Sequence, residues 1–371
     1  MLTKGRLLVC LLCCMALGAC TLPRGAALQS EILRNESSED AGFAHYEVTR
    51  DFLPVVAQWP AGAGALEARS WIKGGAGGAG QVLAAGDMVK IAIWDNGDNT
   101  LLTAPNSPAS TLQEMQIAPN GTVFVPYVGA VKISGLTPDR AREKIQQDLS
   151  TMAPAAQVQL SAAPGRQNSV DMVSGVVRPG NYPMADRSLT VLGLISLGGG
   201  VSPEIANPQL RLIRGGKVHE ISMERVLKDP ALDTGLRGGD KLIVEKDPRY
   251  FLALGASGRE EIIPFPKDRV TALEAVTLAG GINASRANPK GVLILREYPG
   301  AAVAPEGSDA GPTHNRVVFT LNLTRADGLF SAQNFVVQPR DLVLATESAV
   351  VPTRTLLGLI GTGVGIASNV D

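Results

Sequence analysis

The feature that most constrains the fold of this 371-residue chain is an internal repeat. Residues 189–208 align without a gap with residues 270–289, at a constant offset of 81 positions. In each copy a threonine, Thr190 or Thr271, precedes a short apolar helical pattern, and a pair of glycines follows that pattern. Threonine caps the start of a helix, and glycine ends a helix because it tolerates left-handed backbone conformations. The glycines predicted to end the two helices are Gly199, Gly200, Gly280 and Gly281. The repeat predicts two consecutive copies of one domain, each with a short helix packed against a small sheet.

Each copy closes with an aspartate that leads into an apolar strand, Asp240 in the first copy and Asp341 in the second. The offset between these aspartates is 101 positions, so the second copy holds an insertion. We assign the insertion to residues 299–315, whose Pro, Gly, Ala and Asp content is typical of a long exposed loop. The predicted domain limits are 170–248 for the first copy and 249–347 for the second.

A smaller domain is predicted upstream, over residues 81–163. Residues 88–94 alternate in hydrophobicity like a half-buried strand. Residues 137–149 combine a capping threonine, a proline at the first helical position and apolar residues every four positions, a pattern that predicts a helix. Residues 20–80 are polar or glycine-rich and are interpreted as an arm and linker. The predicted fold class is a multidomain α+β chain.

Residues 1–19 are predicted to be a signal peptide. Lys4 and Arg6 precede an apolar run over residues 7–17, which is too short to span a bilayer stably. Small residues then precede Cys20, as at a bacterial lipoprotein cleavage site, so Cys20 is the predicted lipidation site. The alternative is an ordinary secretory signal, which would leave Cys20 as an exposed thiol in an oxidising compartment. The residue after Cys20 is not acidic, which by the sorting convention for lipoproteins favours the outer membrane.

The last segment, residues 352–371, is apolar and glycine-rich. A helix that starts at Thr353 would extend over roughly 28 Å, close to the thickness of a hydrocarbon core. We interpret the segment as a short membrane helix, and the alternative is a tail that docks on a neighbouring subunit. The apolar side chains assigned to the membrane helix are Leu356, Leu357, Leu359, Ile360, Val364 and Ile366.

The composition argues against several classes of function. Without the two cations of the signal peptide the chain carries 32 basic and 35 acidic residues, a balance that gives no indication of nucleic-acid binding. Only Cys20 remains after signal removal, which excludes a disulfide or a cysteine metal site within the mature chain. The three histidines, His45, His219 and His314, lack metal-ligand spacing, and no nucleophile elbow or phosphate loop occurs. We therefore predict no enzymatic activity, no metal and no cofactor.

Several segments resemble the outer-membrane polysaccharide export lipoproteins, the Wza-like capsule exporters. They are residues 22–26, 86–95, 120–129, 135–142 and 175–180. The resemblance implies that the domain at 81–163 is a polysaccharide export domain. It also implies that the two repeats are β-grasp modules of the soluble-ligand-binding (SLBB) type. The C-terminal segment departs from the family pattern, because the best-known members end in a longer amphipathic helix.

The resemblance further implies an outer-membrane channel that carries capsular or extracellular polysaccharide from the periplasm to the cell surface. The subunits would form an octamer-like ring, with the polysaccharide as transported substrate and an inner-membrane polysaccharide copolymerase as partner. A lipid anchor would hold the ring to the outer membrane, with its domains in the periplasm. The alternative is a periplasmic adaptor or scaffold of the export machine that forms no pore. The low aromatic content, 4% of residues, fits transport better than tight sugar capture.

Overall fold

The structure is a computed structural model that describes residues 25–34, 42–65, 70–75, 80–94, 109–111 and 114–350. These residues divide into two compact units, one within Glu67–Asp247 and one formed by Met1–Leu66 together with Pro248–Asp371. Both units combine sheets with short helices, which confirms the mixed α+β class predicted from the sequence.

Three short elements precede the first unit in the chain and belong to the second. They are helix α1 (Gln29–Ile32), strand β1 (Ala44–Glu47) and helix α2 (Leu53–Val56).

The first unit begins with a small domain built around strand β2. Its elements are β2 (Met88–Trp94), β3 (Ala109–Thr111), β4 (Met115–Gln116), β5 (Thr122–Val125), β6 (Gly129–Lys132), α3 (Pro138–Leu149) and β7 (Gln157–Ala163). Strand β2 pairs antiparallel with β3, β4 and β7, while β5 and β6 form a separate hairpin. Helix α3 starts where the sequence predicts. Thr137 caps it, since the Arg140 N–H donates to Thr137 Oγ1 at 3.4 Å. Its buried residues are Ala141, Ile145 and Leu149, as their spacing predicts.

The first repeat completes this unit. Its elements are β8 (Ser169–Ser174), β9 (Gly180–Pro183), α4 (Val191–Leu197), β10 (Pro208–Arg214), β11 (Lys217–Ser222), α5 (Met223–Lys228) and β12 (Lys241–Lys246). The sheet order is β11-β10-β12-β8-β9, and only the pair β12–β8 is parallel. Short 3-10 turns lie at Arg166–Asn168 and Pro230–Leu232.

The second repeat has the same strand order. Its elements are β13 (Tyr250–Gly255), β14 (Glu261–Pro264), α6 (Ala272–Leu278), β15 (Ala287–Glu297), a 3-10 turn (Gly300–Ala302), β16 (Arg316–Leu321), α7 (Ala326–Asn334) and β17 (Leu342–Glu347). The sheet order is β1-β16-β15-β17-β13-β14, with the parallel pair at β13–β17. The one addition is β1, which pairs parallel with β16 at the edge.

The repeat helices are capped in the same way. The Gly193 N–H donates to Thr190 Oγ1 at 3.1 Å, and the Glu274 N–H donates to Thr271 Oγ1 at 3.3 Å. The glycines that follow the helices all have positive φ, which a side chain with a β-carbon disfavours. The values are 85° for Gly199, 87° for Gly200, 81° for Gly280 and 79° for Gly281. The predicted glycine stops are confirmed.

Part of the segment interpreted as an arm is folded. Residues 44–47 form β1, and the following stretch places Trp59 in the core of the second repeat. The Trp59 indole N–H donates to the Asp309 carbonyl at 3.0 Å, and its ring lies 6.1 Å from that of Phe319. The prediction of an arm rests on the average composition of residues 20–80, to which these few apolar residues contribute little. Their burial against a distant strand gives the segment its structure.

Cys20 and the C-terminal residues Leu356, Leu357, Leu359, Ile360, Val364 and Ile366 lie outside the described residues. Within the described ranges, no helix has the length and apolar character needed to cross a membrane.

Candidate functional site

A buried aspartate at the start of a strand recurs three times in the molecule. The three residues are Asp87, Asp240 and Asp341, which precede β2, β12 and β17. Each carboxylate accepts the backbone N–H of the residue three positions earlier. These donors are Ala84 at 2.8 Å, Arg237 at 2.8 Å and Gln338 at 2.7 Å. The residue just before each aspartate has positive φ, at Gly86, Gly239 and Arg340. The same tight turn therefore opens one strand in each of the three domains.

In the two repeats an arginine completes this turn. Arg214 Nε donates to Asp240 Oδ1 at 2.9 Å, and Arg296 Nε donates to Asp341 Oδ1 at the same distance. The Nη2 of each arginine also donates to a backbone carbonyl in the loop before the aspartate. The acceptors are Gly235 at 2.8 Å and Val336 at 2.9 Å. Each pair thus ties the end of one central strand to the start of its neighbour.

The pair of the second repeat is buried, with the Arg296 side chain 3% exposed and the Asp341 side chain 1% exposed. Burial alone would lower the pKa of the Arg296 guanidinium, but the charge and hydrogen bonds of Asp341 outweigh burial and raise it. Burial raises the pKa of the Asp341 carboxyl, while Arg296 and the Gln338 N–H act against that rise. A neutral Asp341 would leave a buried cation without its partner, which is strongly unfavourable. The pair is therefore a structural clamp.

The small domain exposes two aromatic side chains on its hairpin. Phe124 on β5 is 66% exposed and Tyr127 in the following turn is 56% exposed, while Val123 and Val125 face the core. Tyr127 has φ of 68°, a left-handed conformation that is uncommon for a residue other than glycine. The hairpin thus presents two ring faces to its surroundings. Such faces are suited to stacking on a sugar ring or packing against another protein surface.

The second repeat exposes apolar side chains on the face of its sheet opposite helices α6 and α7. We define this outer face by cross-strand neighbours on β13, β14 and β17: Leu252, Leu254, Ile262, Leu342 and Leu344. Ile262 is 64% exposed and Leu254 is 42% exposed. The inner face of the same sheet, which includes Phe251, packs against the helices in the core.

The equivalent outer face of the first repeat is more polar. Its cross-strand neighbours include Asp171, Asn181 and Lys241. The Asn181 side-chain amide donates to Asp171 Oδ1 at 2.8 Å. Farther along the sheet, Arg211 pairs with Glu220 at 2.7 Å and with Glu245 at 2.8 Å. One fold therefore carries an apolar outer face in one copy and a charged outer face in the other.

The small domain is similar to a known protein family. Residues 77–162, which contain the aromatic hairpin, match the family of polysaccharide biosynthesis/export proteins. This segment is similar to the polysaccharide export domain of that family. The chain is 28% identical over 310 residues to the capsule polysaccharide export protein BexD of Haemophilus influenzae, covering 78% of this chain and 76% of BexD.

Two further relatives are also export proteins. The chain is 27% identical over 301 residues to the capsule polysaccharide export outer membrane protein CtrA of Neisseria meningitidis, covering 76% of this chain and 77% of CtrA. It is 25% identical over 295 residues to the EPS I polysaccharide export outer membrane protein EpsA of Ralstonia nicotianae, covering 75% of this chain and 74% of EpsA. The resemblance found in the sequence is confirmed. These relatives are export proteins rather than enzymes, in agreement with the non-enzymatic interpretation.

The histidines considered as candidates do not come together as a site. They lie on β1, on β11 and in the loop before β16, and each hydrogen-bonds a different neighbour. The contacts are His45 to Thr320 Oγ1, His219 to the Ser70 carbonyl and His314 to Thr313 Oγ1. Of the tryptophans, Trp59 is buried and the Trp71 indole N–H donates to the Leu232 carbonyl. The exposed aromatic pair on the small domain consists of a phenylalanine and a tyrosine, so a count of tryptophans does not find it. The turn signal Asn120-Gly121 marks the start of β5, and the alternation of Val123 and Val125 with Phe124 places Phe124 on the opposite face of that strand.

The buried clamp gives a prediction for stability. Replacing Asp341 with Ala should lower the free energy of unfolding by about 3–5 kcal/mol, because Arg296 would stay buried without a counter-charge. The matched control is Glu220→Gln, which weakens a partly exposed pair and should change stability by about 1 kcal/mol or less. Urea unfolding followed by tryptophan fluorescence measures both. Equal losses in the two variants would contradict the structural role of the clamp.

Proposed function

We propose that this protein exports a capsular or extracellular polysaccharide from the periplasm to the cell surface, as a ring-shaped channel in the outer membrane. The observation that carries the proposal is the match of residues 77–162 to the export family. Similarity to capsule exporters over more than 300 residues supports the same function for the whole chain. The polysaccharide is the transported substrate, and an inner-membrane copolymerase delivers it.

We assign the two repeats as β-grasp modules of the SLBB type. Their common strand order supports the assignment. In each repeat a short helix follows an antiparallel hairpin, and the first strand pairs parallel with the last. The same arginine–aspartate clamp then closes both modules. We propose that the two modules form stacked tiers that contact copies of themselves in the ring.

The outer face of the second repeat supports self-assembly into a ring. Contiguous apolar side chains on an exposed sheet face are typical of interaction sites. The corresponding face of the first repeat lacks this character, so the fold itself does not require an apolar surface there. A second copy of the chain is a partner that is always present. Closed rings are held together by contacts between identical subunits.

Assembly gives a direct prediction. Ile262→Asp places a charge in the outer face and should shift the detergent-extracted protein from a ring to smaller species, because the contact would bury an unpaired carboxylate. Val173→Asp is the matched control, since Val173 is also exposed, at 49%, but lies in the first repeat. Light scattering coupled to gel filtration measures the mass. A ring of unchanged mass for Ile262→Asp would contradict this contact.

The lipid anchor is proposed on the sequence before Cys20. Cys20→Ser removes the thiol that carries the lipid, so the variant should leave the outer-membrane fraction or be processed slowly. Fractionation with metabolic labelling by palmitate measures anchoring. A Cys20→Ser variant that stays in the outer membrane and exports polymer normally would contradict the anchor.

The membrane-crossing part of the proposal rests on residues 352–371. A strain that lacks this protein should accumulate polymer in the periplasm, and the full-length chain should restore surface polymer. A chain lacking Leu356–Asp371 should still assemble but should not restore surface polymer, because the membrane helix is missing. Quantification of surface and periplasmic polysaccharide measures both effects. Normal surface polymer with the shortened chain would favour the adaptor that forms no pore.

A further inference from the structure

An open cleft lies within the first unit, between the export domain and the first repeat. It has a volume of about 550 Å³, and we call it the basic cleft because Lys73, Arg187 and Arg237 line it. All three cations are exposed. Within the described part of the chain, none of them forms an ion pair.

The other charged groups of the basic cleft are already engaged. Arg214 is neutralised by Asp240 in the clamp described above. Asp186 is the acidic lining residue, and its Oδ1 accepts both the N–H of Ser188, at 2.7 Å, and the hydroxyl of Ser188. These hydrogen bonds hold the pKa of the Asp186 carboxyl below its ordinary value, the side-chain bond having the larger effect. The cleft therefore carries an excess of positive charge.

A hydrogen-bond donor in the wall of the basic cleft has no acceptor. Gln81 lines the cleft, and its side-chain Nε2 is buried without a partner among the described residues. A buried amide donor without an acceptor is unfavourable, and such groups are few in folded proteins. A ligand oxygen in the cleft would satisfy it.

The second repeat shows that the fold requires neither a cleft of this size nor three exposed cations in its wall. At the equivalent place, beside Arg296, the cavity is reduced to about 310 Å³. Leu53, Val56 and Trp59 line it, and Arg269 is its other cation. The position equivalent to Arg237 is Gln338, which also lines that cavity. The position equivalent to Arg187 is Asp268, which pairs with Arg249 at 3.5 Å. An apolar segment thus narrows the cavity in the second copy, while the cleft of the first copy is larger and more basic.

We propose that the basic cleft binds an anionic group of the transported polymer, a sugar carboxylate or a phosphate, through Lys73, Arg187 and Arg237, with Gln81 donating to a ligand oxygen. The inference rests on the proposed export function for the nature of the ligand. Arginine suits this chemistry because its guanidinium donates two parallel hydrogen bonds to a carboxylate or phosphate. Exposed cations bind weakly and in a salt-dependent way, which allows a polymer to be held and released.

The test measures binding to the purified full-length protein by isothermal titration calorimetry. The probes are a glucuronate-containing octasaccharide, a neutral dextran octasaccharide and inorganic phosphate. The glucuronate probe should bind with an affinity that falls as salt rises, and the dextran probe should bind at least tenfold more weakly. If the glucuronate probe fails and phosphate binds, the anionic group is assigned to phosphate. Failure of both anionic probes would overturn the proposal, as would equal binding of dextran.

Three variants locate the binding. Arg187→Gln combined with Arg237→Gln should weaken binding of the anionic probe at least tenfold. Lys217→Gln combined with Lys241→Gln removes the same amount of charge from exposed positions on the sheet of the first repeat. This control should leave binding unchanged. Gln81→Leu should weaken binding without lowering the thermal unfolding temperature, because it removes an unsatisfied donor. Equal effects of the two double variants, or wild-type binding by all three, would overturn the proposal.

This outcome is separable from the export function. Binding is measured on the purified protein, and export is measured in cells that lack it. If the anionic probes do not bind but the protein still supports export in cells, the proposed function stands and only the cleft inference fails. Anion binding by a protein whose deletion leaves export normal would contradict the proposed function alone.

Discussion

A carboxylate buried at the start of a strand is the interaction on which each domain of this protein depends. The aspartate accepts a backbone N–H three residues earlier, and the residue before it must adopt positive φ. In the repeats the same carboxylate holds an arginine from the neighbouring strand. The turn thereby fixes the start of β12 and β17, the two strands that join the antiparallel and parallel halves of each sheet. The helices then pack against a sheet whose register is already set.

The two repeats share this interior and differ in what surrounds it. The second accepts strand β1 at its edge and the Trp59 segment over its clamp, and it exposes an apolar sheet face. The first keeps a charged sheet face and an open basic cleft. The same interior is therefore compatible with two different surfaces. We propose that the second copy contacts neighbouring subunits and that the first contacts an anionic polymer.

Local signals made much of this fold predictable from the sequence. The threonine caps, the glycine stops and the buried face of α3 depend on residues within a few positions of one another. The addition of β1 was missed because its partner, β16, lies about 270 positions away in the chain. The repeat in the sequence does not predict the arginine–aspartate clamp, because the aligned segments end before Arg214 and Arg296. The basic cleft depends on six separate segments that only the folded chain brings together.

The central claim is that many copies of this chain enclose a passage for a polymer. Electron microscopy of the particle extracted from the outer membrane in detergent tests that claim most directly. The account predicts closed rings of identical subunits with an opening along the axis. Single chains, open arcs, or rings sealed along the axis would contradict it.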